Sequence, residues 1–264
     1  INTVMRDTIK EYEAVAKAAE NFVKSVAEGN SAYAKQLFTD DAVLFGMLDG
    51  VLEHGSIEQF YHNVDTVGAG DDFKARIDVL AVEETVAVVR VLEEGWGGRI
   101  DFTDFLLLLK LNGEWKCVAK AYNQNSDTIQ TSIATPHHTI AAKSDAPANA
   151  EAPEGIVKAI EYYIDGGRKA SSEVARKGFA ETATMSWYEN GKLQSVPIQV
   201  LLDLFDSWEP TEASYKIVSC EVADDVAMVT IDSQFGDAAY TDMFTLVKDS
   251  DGWKIVSKVY HTKP

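Results

Sequence analysis

The segment Asp104-Phe-Leu-Leu-Leu-Leu-Lys110, with a turn at Leu111-Asn-Gly-Glu114 and a second run at Trp115-Lys-Cys-Val-Ala-Lys-Ala-Tyr122, occurs twice in this chain. The second copy reads Asp242-Met-Phe-Thr-Leu-Val-Lys248, Asp249-Ser-Asp-Gly252 and Trp253-Lys-Ile-Val-Ser-Lys-Val-Tyr260, so that Asp, Lys, Trp, Lys, Lys and Tyr recur 138 positions later. Each copy predicts a β-hairpin, because two runs rich in β-forming residues flank a polar turn that contains Gly.

The repeat extends beyond the hairpin. Phe38 and Gly50 recur as Phe179 and Gly191, 141 positions later, and Val82 recurs as Val222. The offset shifts by only a few residues, in part because the Gly95-Trp-Gly-Gly98 loop is longer in the first copy. This pattern predicts two duplicated domains, residues 1–125 and 154–264. The Ala-, Ser-, Thr- and Pro-rich residues 126–153 are predicted to form a flexible linker.

Periodicity and turn residues predict the same order of elements in both halves. In the first half, helices are predicted at Arg6–Glu28 and Ser31–Leu37, and a capping box at Ser56–Gln59 is predicted to open a third helix. A hairpin of Ala42–Leu48 and Val51–His54 is predicted to turn at Asp49-Gly50. Further strands are predicted at Phe73–Val82, Thr85–Leu92, Arg99–Leu111 and Trp115–Asn123. The second half is predicted to contain a helix around Ile156–Ile164, helices at Glu173–Phe179 and Ser195–Trp208, a hairpin turning at Asn190-Gly191, and strands at Tyr215–Val222, Val226–Ser233, Tyr240–Val247 and Trp253–Tyr260. This order predicts an α+β fold in which a strongly bent sheet wraps around helices and leaves a pocket.

Composition excludes several classes of partner. The net charge of −18 argues against nucleic acid, whose phosphates require clustered Lys and Arg, and against anionic membrane surfaces. No apolar run approaches the roughly 20 residues that span a bilayer. Cys117 and Cys220 fall in predicted strands, one in each half, and are predicted to be buried thiols. Because the chain begins at Ile1, localisation stays open between the cytoplasm and export after removal of a leader.

The sequence resembles the nuclear transport factor 2-like (SnoaL-like, cystatin-like fold) superfamily, and within it the "putative lumazine-binding" branch. The resemblance lies in Tyr162-Tyr-Ile-Asp-Gly-Gly-Arg168, in Tyr240 with Asp242, and in the closing Gly252-Trp-Lys-Ile-Val-Ser-Lys-Val-Tyr-His261; the first half ends instead in Asn123. It implies two cone-shaped α+β domains, each with a mixed or antiparallel bent sheet. It also implies that the domains form an intramolecular pseudo-dimer, or that the chain forms a homodimer.

Candidate catalytic residues lie on the repeated hairpin. Alternation places Asp104 on the same strand face as Leu106 and Leu108, and Lys120 opposite or diagonal to it; Asp242 and Lys258 repeat this arrangement. In an apolar pocket each Asp would serve as a general base, with Lys or Tyr122 supplying a hydrogen bond to a developing oxyanion. The alternative is a cross-strand pair that fixes the strand register. The presence of the pair in both copies favours this structural role.

Aromatic and His residues are the candidate ligand-binding set, because exposed rings can stack on a planar ligand. The set comprises His54, Tyr61, Trp96, Phe102, Trp187, Phe235, Tyr240, Tyr260 and His261. Core packing is the competing explanation for most of the rings, a group that also includes Phe45 and Tyr188. Arg99 and Asp101 resemble the water-activating pair of superfamily epoxide hydrolases, but the next strand offers no second acid.

No metal and no cofactor are expected, since no His, Cys or acidic residues show ligand spacing and no glycine-rich loop precedes a helix. The expected partner is a small molecule. Two functions remain open: a metal- and nucleotide-independent acid–base enzyme of the isomerase, dehydratase or cyclase type, or a non-catalytic binding or scaffold module.

Overall fold

The chain folds into two α+β domains, each built on one sheet. The structure is a computed structural model and describes residues 8–48, 51–70, 72–98, 100–125, 140–141 and 152–264. In the first domain the elements are α1 (Thr8–Glu28), α2 (Ser31–Leu37), β1 (Phe38–Leu48), β2 (Val51–Ser56), α3 (Glu58–Val67), β3 (Lys74–Glu83), β4 (Val86–Trp96), β5 (Ile100–Leu111) and β6 (Glu114–Gln124), and β7 (Ile140–Ala141) joins the same sheet.

The second domain repeats this order. Its elements are α4 (Glu154–Lys169), α5 (Ser172–Arg176), β8 (Phe179–Glu189), β9 (Lys192–Pro197), α6 (Gln199–Ser207), β10 (Ala213–Ala223), β11 (Val226–Phe235), β12 (Ala238–Asp249) and β13 (Gly252–Thr262). The sheet orders are β2-β1-β6-β5-β4-β3-β7 and β10-β11-β12-β13-β8-β9. In both sheets the first strand pairs in parallel with the last strand of the repeated hairpin, β1 with β6 and β8 with β13. The two strands of each repeated hairpin, β5–β6 and β12–β13, are antiparallel. The α+β fold and the tandem arrangement are therefore as predicted.

Each sheet packs around the long first helix of its domain. From Val15 onward α1 buries its apolar side chains, including Ala19 and Phe22, whereas Ile9 at its start is exposed; α4 buries Ile156, Ile160 and Tyr163. The two domains also share individual hydrogen bonds. Ser31 bonds the Asp65 carboxylate through its amide and its hydroxyl, and Ser172 bonds Asp206 in the same manner.

Two predicted helix boundaries in the second domain are wrong. The helix expected over Ser195–Trp208 begins at Gln199, because Ser195 and Val196 complete the β8–β9 hairpin. Pro197 favours this outcome, since a residue that precedes Pro is biased away from the helical region. Phe179, expected to end a helix, begins β8 and is buried in the core.

The predicted capping box is only partly formed. The Ser56 hydroxyl accepts a hydrogen bond from the Glu58 amide. Ile57, which precedes the helix, instead donates its amide to the Ala42 carbonyl and packs in the core. The Gln59 side chain packs against Gly55. It does not act as the reciprocal cap.

A third apolar cluster joins the two domains, sheet against sheet. On β5 Leu106 and Leu108 face the helices, whereas Phe105, Leu107 and Leu109 face the other domain, as the predicted alternation requires. The opposing side chains come from the second sheet, among them Val226, Met228, Met243, Val247, Val256 and Val259. Polar contacts cross the same boundary, where Arg90 bonds Glu221 at 3.3 Å. The described domains therefore form an intramolecular pair.

Most of the predicted linker lies outside the described residues, as do the Asp49-Gly50 turn and Arg99. Within the linker Ile140 and Ala141 pair in parallel with Ile77 and Asp78 of β3. The domain limits 1–125 and 154–264 stay predictions.

Candidate functional site

A cavity of about 120 Å³ opens between α1, α3 and the inner face of the first sheet. Apolar and aromatic side chains form most of its wall, and a few polar groups converge on it, which is the usual composition of a small-molecule site. The lining residues are Phe22, Leu44, Glu53, Gln59, Phe60, Asn63, Trp96, Phe102, Asp104, Lys120 and Tyr122.

The deep end of the cavity holds an ion pair. Asp104 on β5 pairs directly with Tyr122 on β6, so Lys120 lies diagonal to it, as predicted. The Lys120 Nζ atom is 2.5 Å from Asp104 Oδ1, and both side chains are at least 95% buried. The ammonium group also lies 4.5 Å and 5.1 Å from the ring centroids of Tyr122 and Phe60. Its positive charge is therefore stabilised by a carboxylate and by aromatic faces.

A second acid, Glu93 on β4, lies behind Asp104 and was not singled out from the sequence. Its side chain is almost fully buried, and its carboxyl group lies within hydrogen-bonding range of the Asp104 carboxyl group. Burial first, and then the adjoining Asp104 carboxylate, raise the pKa of Glu93 well above its ordinary value, while Lys120 acts in the opposite direction. Burial and this neighbour therefore favour the neutral form of Glu93.

The mouth of the cavity is polar and contains Tyr122, one of the predicted catalytic residues. The Tyr122 hydroxyl donates a 2.7 Å hydrogen bond to Glu53 Oε2. Burial, followed by the Glu53 carboxylate, raises the pKa of Tyr122, so the phenol stays protonated and remains a donor. Gly46, paired with Tyr122 across the strands, permits this position, because a Cβ atom there would collide with the phenol ring.

Two of the predicted aromatic residues, Trp96 and Phe102, line the cavity. Their ring centroids are 5.3 Å apart, and Phe102 packs edge-on against Tyr122. The Trp96 Nε1 atom is buried and has no hydrogen-bond partner among the described residues. The longer loop of the first copy thus supplies one aromatic wall.

The equivalent region of the second domain is packed with side chains. Lys258 Nζ lies 2.9 Å from Asp242 Oδ1, and the Ser233 hydroxyl donates a 2.5 Å hydrogen bond to Asp242 Oδ2. Tyr163 adjoins the same carboxylate, and burial followed by this charge raises the pKa of its hydroxyl. Burial lowers the pKa of Lys258, and the Asp242 carboxylate partly offsets that effect.

The predicted aromatic ligands of the second domain contact one another. Trp187 stacks on Tyr260 with centroids 5.4 Å apart, Tyr240 packs edge-on against both Tyr260 and Phe235, and Phe235 contacts Tyr163. Trp187 stands where the first domain has Gly46, since both pair with the equivalent tyrosine of the next strand. The Trp187 side chain therefore fills space that is left open next to Gly46 in the first domain.

Three other predicted ligand-binding residues lie away from the cavity lining. His54 is exposed on β2, and Tyr61 is buried in the core with Lys35 over its ring. The His261 Nδ1 atom is 2.7 Å from the Thr85 hydroxyl, across the boundary between domains. Phe45 lies in the cluster between the sheets, and the Tyr188 hydroxyl bonds Asn112 of the other domain.

The remaining candidates are structural or undescribed. The Asp101 carboxylate accepts the Gly95 amide and so holds the loop that carries Trp96. Arg99 lies outside the described residues. Where the structure describes the chain, no group of three or more His, Cys, Asp or Glu side chains is arranged to hold a metal ion. Likewise, no described helix is long and apolar enough to cross a membrane.

Sequence reasoning missed Glu93 and the mouth residues Glu53, Gln59 and Asn63. A signal for Glu93 was available, because it follows Val89 and Val91 at alternate positions of an apolar strand and corresponds to Ser233 in the second copy. The mouth residues come from β2 and α3, whose exposed faces carry no comparable signal.

One family model matches both halves of the chain, in agreement with the two-domain architecture. A family model described as "Putative lumazine-binding" matches residues 10–123 and 151–261. Aldolase FrzH from Cladobotryum sp. is 34% identical over 116 residues, which cover 44% of this chain and 93% of that protein. An NTF2-like protein of unknown function from Shewanella baltica OS155 shows 36% identity and a TM-score of 0.40, over 42% of this chain and 92% of its own. Another, from Methylobacillus flagellatus KT, shows 28% identity and a TM-score of 0.38, over 48% and 96%.

Proposed function

This chain belongs to the "Putative lumazine-binding" family, and we propose that it is an acid–base enzyme that acts on a small carbonyl compound in the cavity of its first domain. The observation that carries the proposal is the contrast between the two copies. The same Asp–Lys pair lines a cavity in the first domain and is surrounded by packed side chains in the second. The first pair is therefore the better placed of the two to meet a ligand without rearrangement of the core.

The cavity suits a ligand of ring size. A dry cavity of roughly 150 Å³ accepts benzene, so about 120 Å³ accepts a slightly smaller or partly protruding ring. Phe60, Trp96 and Phe102 supply flat apolar walls, which favour a planar or apolar group.

The chemistry follows from the charges at the deep end. Asp104 is the acceptor for a proton on the carbon next to the substrate carbonyl, and the resulting enolate oxygen accepts a hydrogen bond from the Lys120 ammonium. In a β,γ-unsaturated carbonyl substrate the enolate is conjugated, so the Asp104 proton can return to the γ-carbon while the double bond moves to the α,β position, which gives an isomer. Alternatively, the enolate carbon adds to a second carbonyl carbon, and the new alkoxide takes the proton from Asp104. Both routes conserve atoms and charge without a redox partner.

Glu93 supports this arrangement as a positioning residue. As a neutral acid it can donate to Asp104 without adding a second negative charge, and it leaves the Lys120 ammonium balanced by one carboxylate. The name of the relative from Cladobotryum, an aldolase, is consistent with carbonyl chemistry on this domain type. The second domain then acts as a structural partner.

Proton abstraction can be tested before the natural substrate is identified. Cyclohexanone is a ring-sized carbonyl probe, and its α-hydrogens exchange in D₂O by the same first step. We expect the native protein to accelerate this exchange and Asp104→Asn to lose about 10²–10⁴ of that acceleration. Asp242→Asn is the matched control, and Ser233→Ala is a milder one that keeps the Lys258 ion pair. Both controls should retain exchange wherever circular dichroism shows them folded.

A binding module is the alternative. Native mass spectrometry of freshly purified protein, with mild activation, would reveal a small molecule that leaves a chain of 29.0 kDa. A released molecule together with no exchange of any carbonyl probe would contradict the enzyme and support the binding module. Exchange that persists in Asp104→Asn would contradict the assignment of the base.

A further inference from the structure

We infer that the ligand of the first-domain cavity carries a positively charged amine, which binds at the mouth beside Glu53 and the rings of Trp96, Phe102 and Tyr122. The inference rests on the proposed function, which places the carbonyl group of the same molecule at Asp104 and Lys120. The substrate class is then an amino-carbonyl compound of ring size.

The net charge of the cavity lining is the first argument for a positively charged ligand. Three charged side chains line it, namely Glu53, Asp104 and Lys120. Lys120 and Asp104 neutralise each other at 2.5 Å, and Glu93 behind them is not part of the cavity lining. Glu53 therefore leaves one uncompensated negative charge at the mouth, on a chain whose formal net charge is −18. An anionic ligand would be repelled, and a cationic one attracted.

Tyr122 holds that charge in place. Its hydroxyl donates to one oxygen of Glu53, and Tyr122 itself is fixed between Phe102 and the Lys120 ammonium. The carboxylate is thus anchored at the cavity rim by a residue that also lines the cavity, although Glu53 is otherwise exposed. An anchored carboxylate binds a cation with a smaller loss of side-chain entropy than a free one.

Aromatic rings next to this carboxylate complete a site for an ammonium group. Tyr122 packs against Phe102, and Phe102 packs against Trp96, so three rings follow one another along the wall. A ring face attracts a cation electrostatically, most strongly in Trp, and this attraction adds to that of a carboxylate. Gln59 and Asn63 offer amide groups on the same rim.

The second domain lacks this mouth, which argues against a purely structural reason for Glu53. At the equivalent positions, 141 residues later, Glu53 is replaced by Gln194, Gln59 by Val200 and Asn63 by Leu204. The Tyr260 ring, which corresponds to Tyr122, stacks on Trp187. The domain therefore folds without a carboxylate at this place.

The test uses three probes that share one ring and differ in charge: benzylamine, benzyl alcohol and benzoate. Their dissociation constants would be measured by ligand-observed NMR at low salt for the native chain, Glu53→Gln and Glu209→Gln. Glu209 is exposed in the second domain, so its variant matches the change in net charge away from the cavity. Asp104→Asn, which alters the deep end, reports whether the probes occupy the cavity.

We expect benzylamine to bind the native chain about ten-fold more tightly than benzyl alcohol, and benzoate to bind most weakly. Glu53→Gln should remove most of the preference for benzylamine, whereas Glu209→Gln should keep it. Equal binding of benzylamine and benzyl alcohol, or a preference that survives Glu53→Gln, would overturn the amine site and leave the acid–base cavity intact. Failure of all three probes to bind would overturn both the amine site and the cavity that it shares with the proposed function.

Discussion

Asp104 and Asp242 occupy equivalent positions on equivalent strands, and each pairs with a buried lysine two residues from its cross-strand partner. Their surroundings differ at three points. Glu93 replaces Ser233, Phe22 replaces Tyr163, and Gly46 replaces Trp187. In the second domain the serine and tyrosine hydroxyls contact the carboxylate and the tryptophan fills space, whereas in the first domain a second acid adjoins the carboxylate and a cavity opens beside it.

The Asp–Lys pair alone is therefore not evidence of catalysis. A pair that both copies retain fixes the diagonal contact of two strands and is compatible with a filled core. What distinguishes the first copy is the space beside the pair and the second acid next to it.

The largest expected effect comes from removal of each carboxylate charge. In Asp242→Asn, Lys258 stays buried with no anion beside it, and we expect a loss of about 3–5 kcal/mol in the free energy of unfolding. In Asp104→Asn, Glu93 can ionise and take over the pairing with Lys120, so the loss should be only about 1–2 kcal/mol. Urea unfolding at pH 7 measures both.

The double variant Glu93→Gln with Asp104→Asn tests this explanation. It removes the replacement anion, so its loss should approach that of Asp242→Asn. Equal losses for the two single variants would show that Glu93 does not compensate. The presence of Glu93 beside Asp104, where the second domain has Ser233, would then make no difference to the free energy of unfolding.

A second, smaller effect is a pH dependence that belongs to the first domain. The pKa of Glu93 is raised above 4.5 in the folded state, first by burial and then by Asp104. Its contribution to stability is fully present below the pKa of the unfolded chain. As the pH rises towards the folded-state pKa, the unfolded chain releases its proton first and stability falls, by at most about 1.4 kcal/mol per pH unit.

Glu93→Gln cannot titrate and should become progressively more stable than the native chain between pH 5 and pH 8. Thermal unfolding at a series of pH values measures the difference in Tm. Ser233→Gln, at the equivalent place in the second domain, is the control and should show an offset that does not change with pH. If the difference in Tm between Glu93→Gln and the native chain also stays constant with pH, Glu93 is ionised in the folded state.

The smallest effect concerns the boundary between domains. Burial lowers the pKa of His261 below 6.5, so the neutral ring is favoured in the fold. Stability from this residue is present above 6.5 and is lost as the pH falls towards the folded-state pKa, because the unfolded chain takes up the proton first. His261→Asn, which installs the residue found at position 123, should remove that acid sensitivity.

The hydrogen bond between His261 and Thr85 contributes separately to the free energy of unfolding. Thr85→Val removes it and should cost about 0.5–1.5 kcal/mol at pH 7, while the titration of His261 remains. Comparison of the two variants by urea unfolding at pH 5 and pH 7 separates the bond from the charge. An acid sensitivity that persists in His261→Asn would assign it to other groups.

Much of the fold follows from local patterns. The repeated hairpin, the Asn112-Gly113 and Asn190-Gly191 turns with positive φ angles, and the alternation along β5 predict strands, register and faces. The errors occur where two local signals compete. The apolar spacing after Ser195 resembles a helix, but the strand pairing with Ser186 extends β9 to Pro197.

Less of the candidate site than of the fold could be predicted from the sequence. The diagonal contact of Lys120 with Asp104 was predicted because it depends only on register. The aromatic residues could not be divided into wall and core, because the same ring types line the cavity in one copy and pack against one another in the other. Glu93 occupies the strand position of Ser233 and both are buried, so the sequence pattern did not show that Glu93 adjoins Asp104.

Local patterns predict the duplication, the α+β class and the faces of the strands, because turn chemistry and side-chain alternation act over a few residues. They also predict the Asp–Lys pairs. Only the folded chain shows that Gly46 leaves room for Tyr122 to reach Glu53, that Glu93 adjoins Asp104, and that a cavity opens in the first domain. Cavities and charge sums arise from the packing of distant segments, and no local pattern encodes how much space that packing leaves.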